Sequence, residues 1–321
     1  MIDNNTLVTV IVLIYKNYSN IRNTVHSILV QDYLNLEIII SDDATPGGSE
    51  DNIWSELGDL SENQKQRIKV IIQPVNLGIV AHANKIASIS KGKYLKFIPP
   101  GDRFCYVHAL HDLVEAMERS NAQVVTSPAL VQNIITGQVA YQFPPKYQLQ
   151  KLIGTSNKDI FEILARANII SAVGTIYSRE FFDYGGFDCS YRYLDDWPTW
   201  LRMSRENNKI GILCTPTVYY SIEGISNQFG NAFESELLHK DLLLCYEKEI
   251  LPYQSRLNML TRYIVNYYYG VLLGKRNILF RIQYIPMNLY YEIKKYIKRL
   301  VVTGKSNKTF LYRVLKYFGW F

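Results

Sequence analysis

LVTVIVLI, residues 7–14, is a run of aliphatic and β-branched residues, and Tyr15-Lys16-Asn17 closes it. A continuous apolar run, rather than an alternating one, marks a strand buried on both faces. NYSNIRNTVHSILVQ follows and sets Ile21, Val25, Ile28 and Leu29 at helical spacing, with Ser19 or Asn20 as a candidate cap. EIIISDDAT, residues 37–45, is a second buried strand and ends in Asp42 and Asp43. Strand, helix and strand in so short a stretch make a βαβ unit, whose crossover implies parallel pairing. The chain therefore opens as an α/β protein.

Further along, RIKVIIQP reads as a third strand, IVAHANKIASIS as a helix after Asn76-Leu77-Gly78, and YLKFIPPGDRF as a fourth strand. That strand stops on Pro99-Pro100-Gly101-Asp102. Prolines cannot donate to a sheet ladder, so they end pairing and present Asp102 on a turn. HALHDLVEAMERS is helical by its periodicity, and AQVVTSPALVQ reads as another strand. In open α/β sheets ligands bind outside the strand ends, where Tyr15, Asp42, Asp43 and Asp102 fall. Past Tyr147 come a helix near 157–167, the segment IISAVGTIYSREFF, a Gly-Gly-Phe turn at 185–187, and a helix starting at Asp195 and Asp196. Long Tyr-rich helical patterns follow Ser226, which puts a domain boundary near residue 230.

At 321 residues and 48% apolar content, the chain can fill one large core or two smaller ones. Cys105, Cys189, Cys214 and Cys245 have no paired spacing and no nearby histidine pattern, so they read as reduced thiols of a cytosolic protein. The N-terminal apolar run lacks a basic leader and a small-residue cleavage site, so neither export nor a membrane span is expected there. Charge is divided unevenly. From Arg256 onward 13 Lys and Arg face one acid, Glu292, a net of +12 against −6 for the first 255 residues. An acidic body with a basic end suggests two parts with different partners.

Four blocks in order, VTVIVLIYKN, SILVQDYLNLEIIISDDAT, NLGIVAHANKIASISKGKYLKFIPPGD, and YSREFFDYGGFD with YLDDWPTWLRM, resemble glycosyltransferase family 2 over about residues 7–226. The resemblance implies inverting sugar transfer on a GT-A type fold, a Rossmann-like mixed sheet flanked by helices, here with a C-terminal helical extension. It implies a nucleotide-sugar-binding catalytic domain over residues 1–230. Residues 231–321 form a basic, Tyr-rich helical region that the resemblance does not cover.

On that resemblance Asp42 belongs to nucleotide binding, with Asp43 and Asn84 on the same donor side. A fixed carboxylate at a strand end can accept the imide proton of uracil or thymine while Tyr15 covers the base. Equally, Asp42 and Asp43 can do no more than cap the following loop. Relatives end the fourth strand in several acids that hold a metal; here Pro99, Pro100 and Gly101 leave Asp102 alone. One carboxylate suffices for Mn2+ or Mg2+ if diphosphate oxygens and waters complete the octahedron. The alternative is an Asp that only stabilises a Pro-Gly turn.

Asp196 is the expected catalytic base, since Asp195-Asp196-Trp197 matches the family's acid-Asp-Trp motif. Like-charge repulsion from Asp195 would raise its proton affinity, while two acids also suit a helix start by its dipole alone. Two customary cations are missing. Ala83 stands where many relatives carry arginine, and Tyr220-Ser221-Ile222-Glu223 has neither the arginine nor the histidine of a second phosphate-side motif. Arg103, Lys85 or the basic end could supply that charge. His82 is expected to be a packing or surface histidine rather than a ligand.

Ten of the 25 tyrosines lie after residue 255, interleaved with the cations. Such amphipathic stretches suit an interface with anionic lipid, or pack onto the core or a homo-oligomer partner. No nucleic-acid recognition motif is present, so nucleic acid is not an expected partner. The expected function is transfer of a hexose or aminosugar from a UDP- or dTDP-activated donor to a saccharide hydroxyl. The expected setting is capsule or O-antigen assembly on a lipid carrier, with the protein cytoplasmic and peripheral on the inner face of the membrane. The main alternative is a GT-A-fold binding or scaffold protein without catalysis, which Pro99 and Gly101 would explain. A nucleotide-transferring enzyme should show a glycine-rich basic loop after its first strand, and LIYKNYSN has no glycine.

Overall fold

The computed structural model describes residues 6–133, 135–221, 236–275, 277–290 and 292–293. They fall into two compact units, one ending at Arg256 and one starting at Leu257. In the first, β1 (Val8–Ile14), α1 (Ile21–Leu29), β2 (Leu36–Asp42), α2 (Glu50–Leu57), α3 (Glu62–Lys65), β3 (Ile68–Ile72), α4 (Ile79–Ile89) and β4 (Tyr94–Phe97) alternate as the pattern implies. Then come β5 (Arg103–Phe104), α5 (Ala109–Ser120), β6 (Val124–Thr126), β7 (Ala129–Gln132), β8 (Val139–Phe143), α6 (Lys146–Gln150) and α7 (Asn157–Arg166). β9 (Thr175–Ser178), α8 (Arg179–Asp183), α9 (Asp196–Arg205), β10 (Ile210–Ile212) and β11 (Val218–Ser221) complete the sheets.

β1 pairs in parallel with both β2 and β4, with Ile14 opposite Asp42 and Ile11 opposite Phe97. The seven-stranded sheet has the order β10-β6-β9-β4-β1-β2-β3, and β9 runs antiparallel to β4 and β6. A second sheet has the order β5-β11-β7-β8. Period two explains the two cores. Val8, Val10, Val12 and Ile14 meet Ile21, Val25 and Ile28 of α1 on one face, while Ile11 meets Ile39, Leu95 and Ile86 of α4 on the other. Fully burying one such side chain stabilises by roughly 1.5–3 kcal/mol, so the central strands are clamped from both sides and their ends form a firm edge.

One expectation is corrected. AQVVTSPALVQ is two strands in different sheets, β6 in the larger and β7 in the smaller. Pro128 separates them, having no N–H for a ladder. The flanking groups bond elsewhere, Ser127 N–H to Gly174 O at 3.0 Å and Thr217 N–H to Pro128 O at 3.3 Å. The compact units meet at Arg256 and Leu257, and residue 230, the expected boundary, lies outside the described residues. α10 (Glu236–Cys245), a π turn (Tyr246–Ile250) and a 3-10 turn (Leu251–Arg256) belong to the first unit. Asp241 of α10 accepts the backbone N–H groups of Arg192, Tyr193 and Leu194 at 3.0, 2.7 and 3.0 Å. A buried Arg205–Glu249 ion pair adds a second anchor.

In the second unit, α11 (Met259–Leu272) and α12 (Ile278–Gln283) are capped by Asn258 and Asn277. Helical turns continue over 285–290. Tyr263 and Tyr267 of α11 meet Tyr284 with ring centroids 4.9 and 5.3 Å away, so tyrosines do hold this piece together. Among the described residues no helix is long and apolar enough to cross a membrane.

Candidate active site

β1, β2 and β4 are adjacent parallel strands, so the positions following them, Tyr15, Asp42 with Asp43, and Asp102, share one edge of the sheet. With strands about 4.8 Å apart, the ends of β2 and β4 are separated by about 10 Å across β1.

Asp42 is buried, and both its oxygens are engaged by one residue. Oδ2 accepts the Thr45 N–H at 2.8 Å and Oδ1 the Thr45 hydroxyl at 2.6 Å. Thr45 Oγ1 in turn accepts the Lys16 N–H at 2.8 Å, which ties the loop after β1 to this turn. Tyr15 remains largely exposed, with the Lys16 ammonium 4.9 Å from its ring. Asp43 accepts the N–H groups of Leu77 and Gly78 at 2.8 and 2.9 Å. Both acids therefore cap loops, the alternative that the residues left open. Each carboxylate oxygen has a second lone pair, so Asp42 retains acceptor capacity. His82 packs as expected: it is buried, its Nε2 lies 2.8 Å from Ser41 Oγ, and burial lowers its pKa.

Asn84, expected on the donor side, also makes contacts within the fold. Its amide nitrogen donates to Phe187 O at 2.7 Å and its oxygen accepts the Phe187 N–H at 3.0 Å. The side chain thus locks α4 to the Gly-Gly-Phe turn. Tyr18, which the residue pattern did not single out, has a buried hydroxyl without a hydrogen-bond partner among the described residues and a pKa raised chiefly by burial, near Thr45 and Asp42. Gly48 makes room for it, since a Cβ there would come within 2.2 Å of that hydroxyl.

The Asp102 turn has the shape that its prolines imply. β4 stops at Phe97, the Asp102 N–H bonds Pro99 O at 3.1 Å, and Gly101 has φ +96°, a region that favours glycine. Polar residues on α1 hold the turn in place. Thr24 Oγ1 donates to Asp102 O at 2.7 Å and accepts the Gly101 N–H at 3.0 Å, and Ser27 Oγ accepts the Phe104 N–H at 3.1 Å.

Asp102 Oδ1 accepts the Ser221 N–H at 2.8 Å, whereas Oδ2 is buried with no partner among the described residues. An orphaned buried acceptor costs about 1–3 kcal/mol. Burial pushes the Asp102 pKa up to about 7, opposed by the Ser221 N–H and by Lys96. Lys96 is fully buried on β4, its ammonium donating to the carbonyls of Val173, Phe97 and Thr175. Burial lowers its pKa to about 7, with Asp102 acting against the shift. An orphaned carboxylate oxygen is of the hard donor type that suits a divalent cation such as Mn2+ or Mg2+.

Because β9 runs antiparallel to β4, the segment entering β9 lies at the edge where β4 leaves. Asn168 of that segment donates to Asp196 Oδ2 at 2.7 Å, and Asp196 Oδ1 accepts the Trp197 N–H at 2.6 Å. The same segment supplies the Val173 and Thr175 carbonyls to Lys96, so one stretch of backbone links the Asp102 region to Asp196. Asp195 and Asp196 keep part of their surface open while protein packs round the rest. Burial, and then the charge of Asp196, raises the Asp195 pKa to about 7. Burial also raises that of Asp196, against the Asn168 hydrogen bond. With each charge bearing on the other, the two titrate as one pair, and its ionised form is a stronger base than an ordinary carboxylate.

Two of the expected substitute cations have other settings. Arg103 donates to Gln132 at 2.6 Å and its guanidinium lies 4.5 Å from the Tyr219 ring centroid; Lys85 is exposed. Arg192 is a cation that the residue pattern missed. It donates to Asn76 at 2.8 Å, and a Cβ on Gly78 would lie 3.0 Å from its Cγ, which puts it against the loop that Asp43 caps. Ile222 and Glu223 lie outside the described residues. Gly101 and Arg103 line a cleft of about 460 Å³ with Asn23, His26, Ser27 and Gln132; none of Asp42, Asp43, Asp102, Asp195 and Asp196 is in its lining.

The glycosyl transferase family 2 model matches residues 9–185, more than half of the chain. A putative teichuronic acid biosynthesis glycosyltransferase, TuaG of Bacillus subtilis (strain 168), is 31% identical over 125 residues, 39% of this chain and 48% of its own length. Glycosyltransferase GlyG of Streptococcus pneumoniae is 31% identical over 37% of this chain and 38% of its own length. The matched part thus spans about half or less of these curated relatives. Among solved structures, S. aureus TarS 1-349 in complex with UDP-GlcNAc superposes with a TM-score of 0.56 at 14% identity, covering 91% of this chain and 81% of that one. Mannosyltransferase PcManGT from Pyrobaculum calidifontis, in complex with GDP-Man and Mn2+, gives 0.54 at 13% identity over 84% and 73%. The chain has the GT-A fold of these structures and belongs to glycosyl transferase family 2.

Proposed function

We propose that this chain is an inverting glycosyltransferase that takes a sugar from a UDP-linked donor and delivers it to a saccharide hydroxyl. The observation that carries the reading is the unpartnered Oδ2 of Asp102 at the same sheet edge as the Asp195–Asp196 pair. Tyr15 and the remaining lone pairs of Asp42 hold the base, and Arg192 faces the diphosphate. Asp102 Oδ2 would hold a divalent ion, Mn2+ or Mg2+, whose positive charge would offset the charge of the leaving diphosphate. The acceptor hydroxyl attacks the anomeric carbon from the side opposite the diphosphate. Its C–O bond forms as the bond to the phosphate oxygen breaks, so configuration inverts, and the hydroxyl proton passes to Asp196. Asn168 orients that carboxylate, and Asp195 helps to keep its proton affinity high.

The donor and acceptor classes draw on the relatives: TarS was solved with UDP-GlcNAc, and TuaG is named for teichuronic acid biosynthesis. A surface polysaccharide carried on lipid, met at the inner face of the membrane, suits the basic second unit. Thermal shift of the full chain against UDP-, dTDP- and GDP-sugars, with and without Mn2+, tests the reading. A UDP-sugar with Mn2+ should raise the melting temperature of the wild type and not of Asp102→Asn. No shift with any donor would favour the non-catalytic scaffold instead.

A further inference from the structure

The second unit turns an apolar stripe to solvent. Ile278, Ile282, Ile285, Leu289 and Ile293 are 69, 58, 57, 58 and 42% exposed. Ile278 and Ile282 lie one turn apart on α12, and Ile285 and Leu289 lie one turn apart on the helical turns that follow Tyr284, so each pair keeps to one side of its segment. The opposite face is already used. Phe280 stacks on Tyr267 with centroids 5.8 Å apart, Tyr284 packs between Tyr263 and Tyr267, and Asn288 accepts the Tyr267 hydroxyl at 3.1 Å. The helix thus rests on α11 by its aromatic side and leaves its aliphatic side uncovered. Contiguous exposed aliphatic surface of this kind marks an interaction site in a soluble protein.

We propose that this stripe docks the protein onto an anionic phospholipid surface, lying in the interface plane with its Ile and Leu side chains among the acyl chains. Charge complementarity selects that occupant. Arg281 and Lys275 are exposed beside the stripe, and the sequence runs on through Lys294, Lys295, Lys298 and Arg299. From Arg256 onward the chain carries 13 cations and one acid. A second copy would set two such segments against each other and repel, whereas anionic headgroups neutralise them while the stripe leaves water. The inference rests on the proposed function only in naming the surface where a lipid-carried acceptor is met.

The test is co-sedimentation of the full chain with vesicles of phosphatidylcholine alone or with added phosphatidylglycerol. Binding should be about tenfold tighter to the anionic vesicles and weaken at high salt. The triple variant Ile282→Gln, Ile285→Gln, Leu289→Gln should lose about tenfold in binding while keeping the wild-type melting temperature. Equal binding to both vesicle types, or binding unchanged in the variant, would overturn the proposal. So would a wild-type dimer that the variant converts to monomer, since the stripe would then be a self-contact. Donor hydrolysis measured without vesicles is followed in parallel. Its loss with vesicle binding intact counts against the transferase reading alone.

Discussion

In the first unit Lys96 and Asp102 are buried, and Asp195 and Asp196 partly so, while in the second Ile278, Ile282 and Ile285 stand in water. Each choice opposes stability. Taking an incompletely paired charge out of water costs several kcal/mol, and leaving an Ile exposed forgoes about 1.5–3 kcal/mol. The two regions therefore violate opposite rules, and each violation points to a ligand that the fold alone does not supply: a cation with diphosphate at the acids, and a lipid surface at the aliphatic stripe.

The contrast can be broken most severely at Asp196. Asp196→Asn keeps the Trp197 contact but removes the base, so transfer should fall by about 10²–10⁴ while donor affinity, read by calorimetry, stays within about twofold. Equal loss of both would remove Asp196 from the acceptor side. Asp102→Asn preserves an acceptor for the Ser221 N–H and deletes the charge beside Lys96. Donor affinity in Mn2+ should drop by about tenfold or more, with little change when the ion is omitted. An equal drop with and without Mn2+ would leave Asp102 as a turn residue.

A pH series sharpens the same contrast. Asp195 titrates near 7 because it is buried beside Asp196, so transfer should fall as pH drops through about 7, not near 4 as for an ordinary carboxylate. Stability should move the other way. A folded-state pKa raised above the unfolded one means that the folded protein binds more protons between the two values. The stabilising contribution is complete below the unfolded pKa and is lost as pH rises through about 7. Melting curves and initial rates from pH 5 to 8 should therefore slope in opposite directions, and Asp195→Asn should shift the rate profile to lower pH. The smallest effect is expected at Arg192. Arg192→Gln should raise the donor KM by about three- to fivefold with kcat unchanged, because an exposed cation is well screened.

The β1-α1-β2 unit was legible because strands buried on both faces must be apolar throughout, and residues 7–14 and 37–40 are nearly so. Asp102 was legible because two prolines and a glycine leave little but a turn there. The supports of the site were not. Thr24 and Ser27 read as the polar side of an amphipathic helix, yet they hold the Asp102 turn. Lys96 is a single polar letter in a strand, and periodicity cannot tell a buried ammonium from an edge residue. Asn84 was placed by resemblance on the donor side, and its partner, Phe187, lies 103 residues away. Asp241 carries the first unit past residue 230 through three backbone bonds, and no local pattern announces a long-range cap.

The most direct measurement is anomalous diffraction from crystals of the full chain soaked with Mn2+ and UDP. The expected result is a manganese peak at about 2.0–2.2 Å from Asp102 Oδ2, with diphosphate oxygens on the ion and the uracil beside Tyr15 and Asp42. A peak elsewhere, such as at His111, Asp112 and Glu115, whose ligand atoms lie within 4.8 Å of one another, with Asp102 Oδ2 still bare, would contradict it.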